Sequence, residues 1–166
     1  MTALARKICM LGDFGVGKTS LVERFLRSTF DEKYKTTVGV KVDSKEVVLD
    51  PEGSLKLVVW DIAGKSALDA LNQQYLRGAS GLLLVADGTR EATLRSALGL
   101  LMQARELLPD PKSVLLLNKL DLVERWEVAP GTLSELRRSL PVFETSARTG
   151  DGVEAAFAEL ARRLMA

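Results

Sequence analysis

Residues 12–19 restrict the fold of this chain more than any other feature. They read G-D-F-G-V-G-K-T, which matches the pattern G-x-x-x-x-G-K-[ST]. An apolar run, residues 8–11, precedes this loop, and a segment with helical spacing follows from Lys18 to about Arg27. This order of strand, glycine-rich loop and helix is typical of a phosphate-binding loop. Glycine lets backbone N–H groups turn toward phosphate oxygens, and the helix presents its positive N-terminal end.

The residue types in this loop favour a bound nucleotide over a turn without a ligand. A plain glycine-rich turn needs no lysine followed by a hydroxyl. Lys18, by contrast, can place a positive charge against the β- and γ-phosphates, and Thr19 can ligate Mg²⁺. The loop residues predicted to bind nucleotide are Asp13, Phe14, Gly15, Val16, Gly17, Lys18 and Thr19.

A second motif indicates which base the nucleotide carries. Asn118, Lys119 and Asp121 belong to the sequence N-K-L-D, which directly follows the apolar run 114–117. A fixed carboxylate accepts two hydrogen bonds from guanine, from N1–H and from the 2-amino group, whereas adenine presents an acceptor at that position. The end of a parallel strand is also where open α/β sheets bind ligands. We therefore predict a guanine site at Asp121, with Lys119 along the purine face and Asn118 bracing the neighbouring loops.

The remaining apolar runs predict an α/β fold with a mostly parallel, six-stranded sheet and helices on both faces. Strand candidates are residues 8–11, 55–60, 82–85, 114–117 and 141–144, and a further strand covers residues 47–50. The connection from residue 50 to residue 55 is too short for a crossover helix, so this pair is expected to form one antiparallel edge. Helices are predicted at about residues 68–77, 94–108, 133–139 and 153–164, the last behind an N-cap at Asp151.

The composition excludes several kinds of chemistry. The 166 residues contain no histidine and one cysteine, Cys9, so a catalytic triad and a zinc site of the usual type are both ruled out. A net charge of +1 argues against a nucleic-acid partner. With neither an internal disulfide nor an apolar run long enough to span a bilayer, we expect a single cytoplasmic domain covering residues 1–166.

With these motifs in view, the chain resembles a small GTPase of the Ras superfamily, and within it the Rab-type members. The resemblance covers almost the whole chain and five motifs in order. Besides the phosphate loop and N-K-L-D, these are T-T-V-G-V at residues 36–40, W-D-I-A-G at residues 60–64 and E-T-S-A at residues 144–147. The resemblance implies a P-loop NTPase fold of the G-domain type that binds GTP or GDP with Mg²⁺.

The resemblance also implies roles for individual residues. Thr37 and Asp61 would serve the Mg²⁺ together with Thr19, and the Gly64 N–H would contact the γ-phosphate. The further nucleotide contacts implied are Ser20 at the α-phosphate, Phe30 and Tyr34 over the nucleotide, and Ser146, Ala147 and Arg148 beside the base. Two segments, about residues 30–40 and 61–77, would act as switches I and II, which effector and regulatory proteins read.

Two residues depart from the pattern of this family. Lys65 stands where the family has a glutamine that orients the attacking water, and a charged lysine cannot accept a hydrogen bond from that water. It either stabilises bound GTP, stabilises the transition state, or points into solvent. Phe14 replaces a small residue, and its ring either crowds the γ-phosphate or folds outward onto a switch. Both departures predict slow hydrolysis.

The predicted function is a guanine-nucleotide switch that hydrolyses GTP slowly, with Lys18, Thr37, Gly64 and Lys65 as the candidate catalytic residues. The alternative is a non-catalytic GTP-binding module held in one nucleotide state. A G domain cut from a longer chain is a further alternative. No cysteine at the C-terminus is available for prenylation, so no direct membrane anchor is expected, and the protein is expected to be monomeric.

Overall fold

The computed structural model describes residues 4–27, 40–62 and 74–166. Six strands lie within these residues: β1 (Leu4–Leu11), β2 (Val40–Leu49), β3 (Gly53–Ile62), β4 (Gly81–Asp87), β5 (Lys112–Asn118) and β6 (Val142–Glu144). They form one sheet in the order β2-β3-β1-β4-β5-β6. The β2–β3 pair is antiparallel and all other pairs are parallel, which confirms the predicted mixed sheet.

Four α-helices and one 3₁₀ segment accompany these strands within the described residues. They are α1 (Lys18–Arg27), α2 (Glu91–Leu107), α3 (Pro130–Leu136), α4 (Val153–Met165) and the 3₁₀ segment Leu120–Arg125. Residues 74–76 are also helical, while residues 68–73 of the helix predicted at 68–77 lie outside the described range. None of the helices in the described parts of the chain is long and apolar enough to cross a membrane.

Two helix starts and one helix cap differ from the sequence predictions. The helix predicted at residues 94–108 begins earlier, at Glu91. The helix predicted at residues 133–139 begins earlier, at Pro130, because proline has no N–H to lose at the first helical position. The N-cap of α4 is Gly152 rather than Asp151, and no side chain caps this helix end. Gly152 has φ 74°, and a Cβ there would lie 2.3 Å from the carbonyl oxygen of Glu144, so close packing against the end of β6 sets this start.

The central strands are buried on both faces, since helices cover each side of the sheet. On β1, Cys9 and Leu11 face the core beneath α2 and α3, whereas Ile8 and Met10 face the core beneath α1 and α4. This alternation follows from the two-residue period of a strand. It also explains why these strands read as continuous apolar runs.

The carboxyl ends of β1, β4 and β5 lie side by side, because these three strands are parallel and adjacent. β1 leads into the phosphate loop, β4 ends at Asp87, and β5 ends at Asn118. Register pairs Asp87 directly with Asn118. This edge of the sheet therefore brings the loop and two polar side chains together.

An aromatic pair holds α1 against α4. The rings of Phe25 and Phe157 are stacked with centroids 3.8 Å apart, and both side chains are fully buried. We expect Phe157→Ala to lower the free energy of unfolding by roughly 3–5 kcal/mol, because it leaves a cavity beside Phe25. Urea unfolding followed by circular dichroism measures this loss.

Met102→Ala is the matched control, since Met102 is an exposed apolar side chain on α2. Its effect should stay within about 0.5 kcal/mol. Equal losses in the two variants would contradict the packing described here.

Candidate functional site

The phosphate loop, residues 12–17, is organised around the side chain of Lys18. The Lys18 ammonium donates hydrogen bonds to the carbonyl oxygens of Gly12 at 2.8 Å and Asp13 at 3.2 Å. Burial lowers the pKa of Lys18, and the nearby carboxylates of Asp61 and Asp13 oppose that shift. The loop thus holds a buried lysine whose charge faces its own backbone.

Two glycines of the motif are required by close contacts. A Cβ on Gly12 would lie 2.4 Å from the carbonyl oxygen of Val85 in β4, so the loop must leave β1 directly against this strand. Gly17 has φ 103°, and a Cβ there would lie 2.4 Å from Nδ2 of Asn118. Glycine at both positions lets the loop pass close to the ends of β4 and β5.

The Asn118 carboxamide joins the loops around it. Its Nδ2 donates to the carbonyl oxygen of Val16 at 2.9 Å, and its Oδ1 accepts from the Thr145 hydroxyl at 3.1 Å. Asn118 is 2% exposed, and Thr145 is fully buried. A buried carboxamide with both ends bonded is a rigid brace, because breaking either bond leaves a buried polar atom unsatisfied.

Asp121 is held in place by the loop that follows β6. Its Oδ1 accepts a hydrogen bond from the Ser146 hydroxyl at 2.8 Å, and the Leu120 N–H donates to the carbonyl oxygen of Thr145 at 2.9 Å. These bonds join residues 118–121 to residues 145–146. The carboxylate predicted to accept from guanine therefore has a fixed position at the carboxyl end of β5.

Lys119 adopts the left-handed conformation, with φ 74°. Its ammonium lies 3.0 Å from Oδ2 of Asp87, and its carbonyl oxygen accepts from the Trp126 indole at 2.9 Å. Both ends of the residue are thus tied to neighbours, which restricts where its methylene stem can lie.

Thr19 and Asp61 supply the oxygen atoms that suit a metal ion. The Thr19 hydroxyl donates to Oδ2 of Asp61 at 2.6 Å, across from the first turn of α1 to the end of β3. Asp61 is 1% exposed. A hydroxyl and a carboxylate are hard ligands of the kind that Mg²⁺ prefers, and Mg²⁺ usually keeps several waters beside one or two protein oxygens. In the described residues no group of three or more acidic or cysteine side chains is placed to hold a metal.

The remaining predicted residues divide into those the structure describes and those it does not. Ser20 lies in α1, Ala147 is buried, and the Arg148 side chain is exposed. Phe14, in the phosphate loop, is 51% exposed. Outside the described residues lie Phe30, Tyr34, Thr37, Gly64 and Lys65.

Several site residues were not singled out by the sequence reasoning. Asp87 ends β4 just as Asn118 ends β5, so the position of polar residues at parallel strand ends was a usable signal. Arg24 donates to the carbonyl oxygens of Ala147 and Arg148 and so supports the loop after β6. Nothing in the sequence around Arg24 indicates this contact, because it joins residues more than a hundred positions apart.

Comparison with known proteins agrees with this geometry. The model of the Ras family matches residues 7–166. The chain is 35% identical to the Ras-related protein Rab-27B of Rattus norvegicus, over 89% of this chain and 74% of the relative. It is 36% identical to the human Ras-related protein Rab-30, over 96% of this chain and 79% of the relative. It is 32% identical to the GTP-binding protein ypt5 of Schizosaccharomyces pombe, over 99% of this chain and 80% of the relative.

Three observations agree on the family of this chain. They are the sheet order, the position of the phosphate loop beside β4 and β5, and the matches to relatives over most of the chain. The chain belongs to the Ras family of small GTPases and is similar to its Rab proteins.

Proposed function

We propose that this protein binds GTP and GDP with Mg²⁺, changes its partner-binding surface with the nucleotide, and hydrolyses GTP slowly. One observation carries the proposal: the buried Asn118 carboxamide connects the phosphate loop at Val16 to the loop that fixes Asp121. A phosphate site and a base site are therefore held together by one rigid group. That is the arrangement a nucleoside polyphosphate needs.

The Asp121 carboxylate selects guanine. It accepts from guanine N1–H and the 2-amino group, while an adenine base would turn a ring nitrogen acceptor toward it. The Ser146 hydroxyl donates to Asp121 and so keeps the carboxylate oriented. Asp121 is exposed before a base binds, and rejection of adenine follows from the cost of covering its carboxylate with a base that offers an acceptor in place of two donors.

Lys18 and the loop amides bind the phosphates. When nucleotide is bound, the Lys18 ammonium donates to phosphate oxygens. These contacts replace its bonds to the Gly12 and Asp13 carbonyls or are made in addition to them. The N-terminus of α1 adds favourable electrostatic potential at the same place.

Thr19, Thr37 and Asp61 hold the Mg²⁺. The ion neutralises charge on the β- and γ-phosphates when it is bound. Asp61 lies one residue before the end of β3, and Val40 starts β2, so each lies at a boundary of one of the proposed switches, residues 61–77 and 30–40. A γ-phosphate that engages Thr37 and Gly64 orders both segments, and its loss releases them. Effector and regulatory proteins recognise this difference.

Slow hydrolysis follows from two side chains. Lys65 replaces the residue type that positions the attacking water, and the exposed Phe14 ring is a bulky group at a loop position where the family has a small residue. The ring also obstructs an arginine supplied by a partner. The same exposed ring favours the second candidate function, a GTP-binding module without hydrolysis.

The role of Asp121 is tested with Asp121→Asn. Asparagine offers one acceptor and one donor, so it fits N1–H and the C2 carbonyl of xanthine rather than the 2-amino group of guanine. We expect GDP affinity to fall roughly a hundredfold or more and affinity for xanthosine diphosphate to rise. Competition against a fluorescent nucleotide measures both affinities.

Glu135→Gln is the control, because Glu135 is exposed on α3 and is not one of the predicted nucleotide-binding residues. It should leave both affinities unchanged. An Asp121→Asn variant that keeps its preference for GDP would show that another group reads the base.

Hydrolysis is tested by single-turnover measurement of pre-bound GTP with excess Mg²⁺. We expect a rate constant on the order of 10⁻⁴ s⁻¹ or lower. Lys65→Gln should raise it by restoring a side chain that can position water, and Phe14→Ser should raise it by opening the loop.

A rate that falls in Lys65→Gln would make Lys65 a group that assists the reaction and would contradict this account of its effect. Absence of GDP formation in the parent protein and in both variants would select the non-catalytic binding module.

A further inference from the structure

A second side chain, besides Asn118, reaches the phosphate loop from a neighbouring strand end. Nη2 of Arg90 donates to the carbonyl oxygen of Phe14 at 3.2 Å. Arg90 lies three residues beyond the end of β4 and immediately before α2. This contact joins residues 76 positions apart.

We propose that Arg90 is a positioning residue for the phosphate loop: anchored on Asp87, its guanidinium holds the Phe14 carbonyl outward and thereby directs the Gly15 N–H to the phosphate side. This inference rests on the proposed nucleotide-binding function and names a residue that sets the geometry of that site.

The anchor is a buried carboxylate with several donors. Asp87 is 1% exposed, and its Oδ1 accepts from the Thr89 N–H at 2.9 Å and the Thr89 hydroxyl at 2.7 Å. Its Oδ2 accepts from Nε of Arg90 at 3.1 Å and lies 3.0 Å from the Lys119 ammonium. Burial raises the pKa of Asp87, but the bonds from Thr89, Lys119 and Arg90 outweigh burial and hold it below its usual range. Arg90 therefore pairs with a carboxylate that stays charged.

The backbone of Arg90 is also fixed. Its N–H donates to the carbonyl oxygen of Asp87 at 2.9 Å, and its own carbonyl oxygen accepts from the Thr93 N–H at 2.9 Å and the Thr93 hydroxyl at 2.7 Å. A side chain of this length loses much conformational entropy when it is held. The Arg90 side chain is already held by bonds at its backbone, Nε and Nη2, so nucleotide binding costs less conformational entropy.

Peptide geometry turns this contact into an effect on the phosphate site. In a trans peptide the carbonyl of one residue and the N–H of the next point in opposite directions. The Phe14 carbonyl points toward Arg90, so the Gly15 N–H points away from Arg90. In the same way, the Val16 carbonyl points toward Asn118 and the Gly17 N–H points away from it. Gly15, with φ 78°, takes the left-handed conformation that this orientation needs.

Arg90 and Asn118 thus act on alternate peptides of the loop. Lys18 bonds the carbonyls of Gly12 and Asp13, so four loop carbonyls have side-chain donors. Amides already oriented before the ligand arrives need no reorganisation, which increases affinity for a phosphate group. The Arg90 contribution should therefore concern the phosphates and not the base.

The test compares GDP with GMP on the parent protein and on Arg90→Ala. We expect GDP affinity to fall roughly five- to twentyfold, the cost of one charge-assisted contact, while GMP affinity changes less than about twofold. GMP lacks the β-phosphate, so it reports the base site and a general loss of structure. Affinities are measured by displacement of a fluorescent GDP analogue with excess Mg²⁺.

Two variants complete the design. Arg95→Ala is the matched control, because Arg95 is an exposed arginine on α2, the helix that follows Arg90, and pairs with Glu91. It should leave both affinities unchanged. Arg90→Lys should lie between Arg90→Ala and the parent protein, because an ammonium pairs with Asp87 but cannot also span to Phe14 as a guanidinium does. It also serves as the test should Arg90→Ala fail to fold.

Unchanged GDP affinity in Arg90→Ala, or an equal fall for GDP and GMP, would overturn the proposed role of Arg90. If the parent protein binds no guanine nucleotide, the proposed function itself fails. Measuring GDP binding to the parent protein distinguishes these two failures, because only the failure of the proposed function abolishes binding there.

Discussion

The hydrogen bonds of the Asn118 carboxamide are the constraint on which the site depends. Asn118 ends β5, and it can brace the phosphate loop only because β1, β4 and β5 run parallel and end at one edge. Its second bond, to Thr145, brings the loop after β6 against residues 118–121. A buried amide left unpaired costs more than the bonds it makes are worth. The phosphate loop and the loop after β6 therefore depend on the same side chain for their positions.

Much of this arrangement could be predicted from the sequence, because short local patterns indicate the strands and the loops that follow them. The loop at residues 12–19 and the N-K-L-D sequence each follow a continuous apolar run, and doubly buried parallel strands produce such runs. The short connection between β2 and β3 required an antiparallel pair. These features predict the sheet and the edge at which its parallel strands end. Ligands of such sheets bind at the carboxyl ends of the strands, so the residues at this edge could be predicted as well.

The rest depends on contacts between distant residues. Arg24 lies in α1 and Arg90 immediately precedes α2, positions where an arginine ordinarily faces solvent, and only the fold shows that each reaches a loop carbonyl. The start of α4 is another such case, since packing of Gly152 against Glu144 prevailed over the capping preference of Asp151. The sequence also identified Lys65 and Phe14 as departures from the family. Their effect depends on how they meet a bound γ-phosphate, which no local pattern expresses.

Direct titration shows whether this edge of the sheet binds a guanine nucleotide. Nucleotide-free protein is titrated with GDP and, separately, with ADP, both with excess Mg²⁺, in an isothermal calorimeter. The account predicts one GDP bound per chain and affinity for ADP weaker by at least roughly a thousandfold, because Asp121 meets an acceptor on adenine. Comparable binding of the two nucleotides, or binding of neither, would contradict it.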